Sequence, residues 1–212
     1  MKILFPPHAN IRISSYRLTE YENSKKWVAQ RKFNGTNVLV YISQDRKVNI
    51  LTRHGTAPKL FSLSKSHIEQ ILSLNLEKNK DYWLNGELLD HKTKDKDYKG
   101  KIVFFDVLHA GRYLIQNPNQ TQRLELLSEI CNHPSKLEKN GIALQISEDI
   151  WMAENWTSDF LFHYKEFLHK DEIEGLILRK SNSFIDNFGQ KSYDASWIMK
   201  CRKPHVGGNY NF

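Results

Sequence analysis

Cysteine is nearly absent: the 212 residues hold only two, Cys131 and Cys201. They lie far apart and lack the spacing of metal ligands. A disulfide framework is excluded, and a reducing compartment fits. No apolar run approaches the length of a membrane span. The short apolar start Met1-Lys2-Ile3-Leu4-Phe5 is stopped by Pro6-Pro7 before it can form a signal-peptide core. A cytoplasmic protein without a membrane partner is expected. Glycine and proline are sparse, at ten and six. No Gly/Pro-rich linker, internal repeat or low-complexity tract divides the chain, so residues 1–212 are expected to form one domain. The nine histidines are scattered and give no ligand pair at helical spacing beside a carboxylate, which argues against a metal-only hydrolase. Acidic residues are the scarcer sign, 24 against 31 basic, for a net charge of +7. That excess favours a polyanionic partner, of which nucleic acid is the commonest. A merely soluble basic surface would give the same count.

What is present suits a folded domain: 40% hydrophobic and 12% aromatic residues. Thr36–Ile42 reads as a strand from its alternating Val38, Val40 and Ile42. Lys47–Arg53 reads as its hairpin partner across a Gln44-Asp45-Arg46 turn. Helical spacing of Ile68, Ile71, Leu72 and Leu76 predicts a helix over Ser64–Leu76, capped by Ser64 or Ser66. Tyr82–Leu89 and Ile102–Leu108 read as buried strands, and the lysine-rich His91–Lys101 between them as an exposed loop. Asn119–Cys131 and Thr157–His169 read as helices, the second capped by Thr157 or Ser158. Ile142–Ile146, Ile173–Arg179 and Ser196–Cys201 read as strands. Hairpins dominate the start, so the fold class is α+β, built on antiparallel sheets flanked by helices.

Five short strings then follow in order: Lys32-Phe33-Asn34-Gly35, Arg53-His54-Gly55, Gly86-Glu87, Phe104-Phe105-Asp106, and Glu174-Gly175 with Lys200-Cys201-Arg202-Lys203. A neutral lysine amine can attack the α-phosphorus of a nucleoside triphosphate, but a free lysine titrates near ~10.4. It needs cations or a metal beside it. Lys32, ahead of Gly35, is expected on a turn at a strand entrance. Glu87 and Glu174 sit in apolar strands, where a carboxylate wants a metal, a ribose hydroxyl or a cation. Strand alternation sends Phe104 and Phe105 to opposite faces, one to the core and one free to stack on a purine; Asp106 in a salt bridge is the plainer reading. Lys200 and Arg202 share a face and can address one phosphate.

This ordered set resembles the covalent nucleotidyltransferase superfamily of ATP-dependent DNA ligases, RNA ligases and mRNA capping enzymes. It spans about Gln30 to Lys203. The resemblance implies an ATP-grasp-like ligase nucleotidyltransferase domain acting on ATP with Mg²⁺ or Mn²⁺. Lys32 would carry the covalent AMP, beside Gly35. Phe105 would stack on adenine and Glu87 would contact the ribose. Glu174, with Glu87, would bind the metal. Lys200 and Arg202 would grip the α-phosphate, while Arg53 would line the nucleotide or the 5′-phosphate end. Asn37, Arg53 and Lys203 would touch nucleic acid. The partner would be nicked or broken RNA or DNA, and the protein a monomer.

Gly35-Thr36-Asn37 and Lys200-Cys201 look like RNA ligases, whereas Asn34 stands where DNA ligases and capping enzymes carry Asp. Phe104–Gly111 and Glu174–Lys180 look as much like DNA ligase. Arg202 replaces a second lysine. Nine residues follow Lys203, so no C-terminal OB-fold is expected, and a second protein is a candidate to supply its role. An RNA ligase is the reading taken forward. A DNA ligase, a GTP-dependent capping enzyme and a non-catalytic nucleic-acid-binding module stay open.

Overall fold

Lys32 lies in a strand, not on a turn. The computed structural model describes residues 3–90, 92–111, 118–133, 141–185 and 194–204. In it β2 (Trp27–Phe33) carries the lysine, and only Asn34 and Gly35 separate it from β3 (Thr36–Ile42). The strand is hard to read because Gln30, Arg31 and Lys32 interrupt its apolar pattern. They are polar on both faces, and each face has buried partners for them.

The remaining elements, in chain order, are β1 (Ile11–Arg12), α1 (Leu18–Asn23), β4 (Val48–Thr52), α2 (Lys65–Leu72), β5 (Tyr82–Leu88), β6 (Ile102–Ala110), α3 (Gln120–Ile130), β7 (Leu144–Gln145), β8 (Ile150–Met152), α4 (Phe160–Glu166), β9 (Ile173–Lys180) and β10 (Ile198–Arg202). They make two sheets, ordered β1-β10-β9-β2 and β4-β3-β5-β6-β8-β7. Antiparallel pairs dominate, but β1 runs parallel to β10 and β8 parallel to β6. The turn at Asn34-Gly35 passes the chain from one sheet to the other. Asn34 ties it down: its backbone N–H donates to the Glu172 carbonyl at 2.8 Å and its side-chain amide to the Asp171 carbonyl at 3.1 Å.

The helices differ from expectation mostly at their ends. Ser64 caps α2 by accepting from the His67 N–H. A reciprocal capping box between Asn119 and Gln122 starts α3. Neither Thr157 nor Ser158 caps α4. It begins after Asp159, which is left-handed (φ 59°), and the Phe160 N–H is satisfied instead by the Glu22 carboxylate of α1 at 3.0 Å. The expected strand Ile142–Ile146 shrinks to β7. β1, α1, β2 and β8 were not foreseen.

Each sheet packs one face against helices. In the first, Ala29, Leu176, Leu178 and Cys201 pack against Leu18, Tyr21, Phe160 and Tyr164. In the second, Val38, Val40, Leu84 and Phe104 pack against Ile71, Leu127 and Ile130 from α2 and α3. Side chains of alternate parity point the other way, into the space between the sheets. That space is the candidate site.

Candidate active site

Backbone register sets the residues of the first sheet in rows. Lys32 is paired with Gly175, and Gly175 with Arg202. Gln30 is paired with Ile177, and Ile177 with Lys200. Residues directly opposite point to the same side, so Gln30, Lys32, Ile177, Lys200 and Arg202 share one face. All five line a cavity of about 440 Å³, within the size range of small-molecule sites. The second sheet closes it with Asn37 from β3, Asn85 and Glu87 from β5, and Phe105 from β6. Gly35, Arg53 and Glu174 also line it. Phe104 is fully buried in the core, so the two phenylalanines do part to opposite faces.

The charges converge. The Lys32 ammonium lies 2.6 Å from the Glu174 carboxylate, and the Arg202 guanidinium lies 3.2 Å from that same oxygen. Gly175, between the two cations in the register, lets the β9 and β10 backbones close up at this row. Its φ is +135°, and a Cβ there would sit 2.0 Å from the Cys201 carbonyl oxygen. Lys200 is buried and donates to the Ala9 carbonyl at 2.8 Å. Burial, with Arg202, Arg12 and Lys32 nearby, pushes its pKa below the usual lysine value.

A family model described as RNA ligase matches residues 25–196. The chain belongs to the RNA ligase family. Two solved structures share its fold: mycobacterial DNA ligase D complexed with ATP and MES (18% identity, TM-score 0.61), and the ligase domain of LigD from M. tuberculosis (18%, 0.60). Each match covers 94% of this chain, which spans about three-fifths of the relatives' length, 60% and 59%. A search of curated proteins finds no significant sequence match.

Glu87 is tied to the turn that follows Lys32. The Gly35 N–H donates to Glu87 Oε1 at 3.1 Å. Burial raises the Glu87 pKa to about 7, against the pull of Lys32 and with a push from Glu174. A carboxyl raised above its unfolded value of ~4.5 resists ionising in the native state, so stability falls as pH climbs through the window between the two values. Glu87→Gln is therefore expected to gain on wild type between pH 5 and pH 8 by on the order of 1–3 kcal/mol. Denaturant midpoints at the two pH values measure it, and parallel curves would refute the assignment.

Gly35 tolerates no side chain. A Cβ there would meet the Leu88 carbonyl oxygen at 2.2 Å and Glu87 Cγ at 2.9 Å. Gly35→Ala must push the turn off β5 and break the bond to Glu87. We expect a loss of about 1–3 kcal/mol together with weakened nucleotide binding, read by denaturation and by titration with ATP.

Arg53 lies on the cavity rim, its Nε donating to His54 at 3.2 Å. Asn37 accepts from the Asn85 amide at 3.1 Å. Lys203 stands apart: it is not in the cavity wall, and its ammonium donates to the Leu168 and Lys170 carbonyls. Asp106 is buried and ion-paired, as its plainer reading had it, at 2.9 Å from Arg123 and 3.6 Å from Arg179.

The floor of the cavity was not legible in the sequence. Gln30 donates to the Phe105 carbonyl at 3.0 Å and to Asn155 at 2.8 Å, and accepts from Arg179 Nε at 3.0 Å. Arg179 lies 5.1 Å below the Phe105 ring. Gln30 precedes Lys32 by two, so recognising β2 would have placed it on the same face. The Pro6–Ala9 segment and Lys92 also line the cavity, and no local pattern announces either. Among the described residues no group of three or more His, Cys, Asp or Glu forms a metal cluster, and no helix is long and apolar enough to cross a membrane.

Proposed function

We propose that this chain is an ATP-dependent polynucleotide ligase, with RNA ends preferred over DNA ends. One observation carries the reading: a lysine amine, Lys32, on a cavity face shared with Lys200 and Arg202, opposite Glu87 and Phe105. The amine attacks the α-phosphorus of ATP. The nitrogen–phosphorus bond forms as the bond to pyrophosphate breaks, and the amine loses its proton. AMP then passes to a 5′-phosphate, and a 3′-hydroxyl displaces it to close the strand. Catalysis of this kind rests on positioning and charge stabilisation. Lys200 and Arg202 hold the α-phosphate, Phe105 stacks on adenine over the Gln30–Arg179 floor, and Glu87 accepts from the ribose. Glu87 and Glu174 are two carboxylates beside a phosphate site, a donor set suited to a hard cation that takes its other ligands from phosphate and water. Mg²⁺ or Mn²⁺ held there would neutralise triphosphate charge. Glu174 is engaged by Lys32 and Arg202, so freeing it for a cation also frees the nucleophile.

The RNA preference is supported by the family match, by Asn37 two residues after Gly35, and by Lys200-Cys201. Incubation with α-labelled ATP and Mg²⁺ should label the protein through denaturing electrophoresis, and added pyrophosphate should strip the label. No label, or a label from GTP alone, would overturn the reading. Nicked duplexes differing only in the 2′-hydroxyl on the 3′-hydroxyl side test the substrate: equal sealing would remove the RNA preference.

A further inference from the structure

The loop joining β5 to β6 is long, lysine-rich and firmly anchored. Its base is closed by Leu89 N–H to the Lys101 carbonyl at 2.9 Å and Gly100 N–H to the Leu89 carbonyl at 2.7 Å. Thr93 and Tyr98 are buried, and the Tyr98 ring meets Trp151 edge-on at 5.5 Å. Between and beside these anchors Lys92, Lys94, Lys96 and Lys99 are exposed. Residues 92–101 hold five lysines against two aspartates.

The pairing of these cations is uneven. Lys94 is neutralised by Asp171 at 2.7 Å, and Lys101 by Asp149 at 3.1 Å. Among the described residues no carboxylate lies within ion-pair distance of Lys92, Lys96 or Lys99. Lys92 reaches into the cavity wall and donates to the Gly35 carbonyl at 2.8 Å. That acceptor is neutral, so exchanging it for a phosphate oxygen breaks no ion pair and gains a charge-assisted bond. Lys32, Lys200 and Arg202 come from the other sheet. Lys92 stands across from them at the rim, its ammonium bonded to the turn that follows Lys32.

Given the ligase reading above, we propose that this loop is a contact for the phosphate backbone of the nucleic-acid strand, with Lys92 its member at the cavity mouth, and that it serves strand joining rather than nucleotide loading. Lys92, Lys96 and Lys99, carried on an anchored backbone and without a carboxylate partner among the described residues, suit a polyanion. The backbone anchors remove the ordering cost that a free loop would carry on binding.

Two variants of the full chain test it: Lys96→Ala/Lys99→Ala and Lys92→Ala. Three quantities are read: label taken from α-labelled ATP, sealing of a nicked duplex already bearing a 5′-adenylate, and binding of that duplex against salt. In the double variant loading should match wild type while sealing falls about tenfold, and the slope of log affinity against log salt should shrink by ~0.7–0.9 for each phosphate that is no longer neutralised. In Lys92→Ala sealing should fall about tenfold more than loading, with Lys92→Arg restoring most of it, since binding a phosphate requires the charge. Wild-type sealing and an unchanged salt slope in both variants would sink the proposal. So would a Lys92→Ala defect confined to loading, which would assign that ammonium to the triphosphate. If the wild type itself takes no label, the ligase reading fails alone. Duplex binding, which needs no catalysis, then still decides the loop.

Discussion

Replacing Lys32 by alanine should abolish uptake of adenylate from ATP, at least ~10³-fold below wild type, while the protein stays folded. The loss is of this size because in the proposed chemistry the nitrogen itself forms the bond to phosphorus, and neither Lys200 nor Arg202 is placed to replace it. Lys200 is buried and held by the Ala9 carbonyl, and Arg202 stays protonated and cannot attack. The fold should survive because Lys32 and Glu174 are 18% and 25% exposed, and a partly hydrated ion pair contributes about 1 kcal/mol or less. Lys32→Arg separates the roles: it keeps the charge beside Glu174, yet it should label no better than alanine. Autoradiography of labelled protein, with thermal melts alongside, decides the matter. Equal labelling of wild type and Lys32→Ala would end the proposed chemistry.

The second large effect concerns stability. Asp106→Asn should cost about 3–5 kcal/mol, the penalty for leaving buried cations without their counter-charge. Asp106 is 1% exposed, Arg123 2% and Arg179 6%. Desolvation already pushes the Arg179 pKa down, with Asp106 holding it up. Arg123 spends its other donors on the Gln120 side chain and the Pro118 and Ser183 carbonyls, and among the described residues it has no second carboxylate partner. Because Arg179 supports both Gln30 and the Phe105 ring, the same change should weaken ATP binding more than it slows transfer. Urea denaturation gives the first number and the KM for ATP gives the second. A destabilisation below about 1 kcal/mol would mean that water reaches this triad.

The outcome for these residues shows what local pattern can and cannot carry. Strand β3 was legible because Val38, Val40 and Ile42 repeat with the period of the pleat. The partition of Phe104 and Phe105 followed from the same period. Lys200 and Arg202 were placed together for that reason too. Strand β2 was not legible, since Arg31 is buried between the rings of Trp156 and Phe167, 4.6 and 3.9 Å away, and paired with Glu154 at 3.3 Å. Those partners are more than 120 residues along the chain, and only the folded molecule reveals that a polar side chain there is tolerated. The start of α4 was misplaced for the same cause: its first N–H is satisfied by Glu22, far upstream. Lys203, read as a nucleic-acid contact with Asn37 and Arg53, follows the end of β10, outside the cavity wall, and bonds the Leu168 and Lys170 carbonyls.

The missing side chain at position 175 has one more implication. Lys32 and Arg202 stand two strand spacings apart, roughly 9–10 Å between backbones, with bare peptide between them. Their tips lean inward to a shared carboxylate oxygen of Glu174, so the two cations converge from left and right. The bare middle strand thus lets neighbouring backbones close up here, since a Cβ at 175 would press on the Cys201 carbonyl oxygen. The distance between the two backbones is set by hydrogen bonds of the pleat rather than by flexible stems, so it should change only when the sheet itself bends.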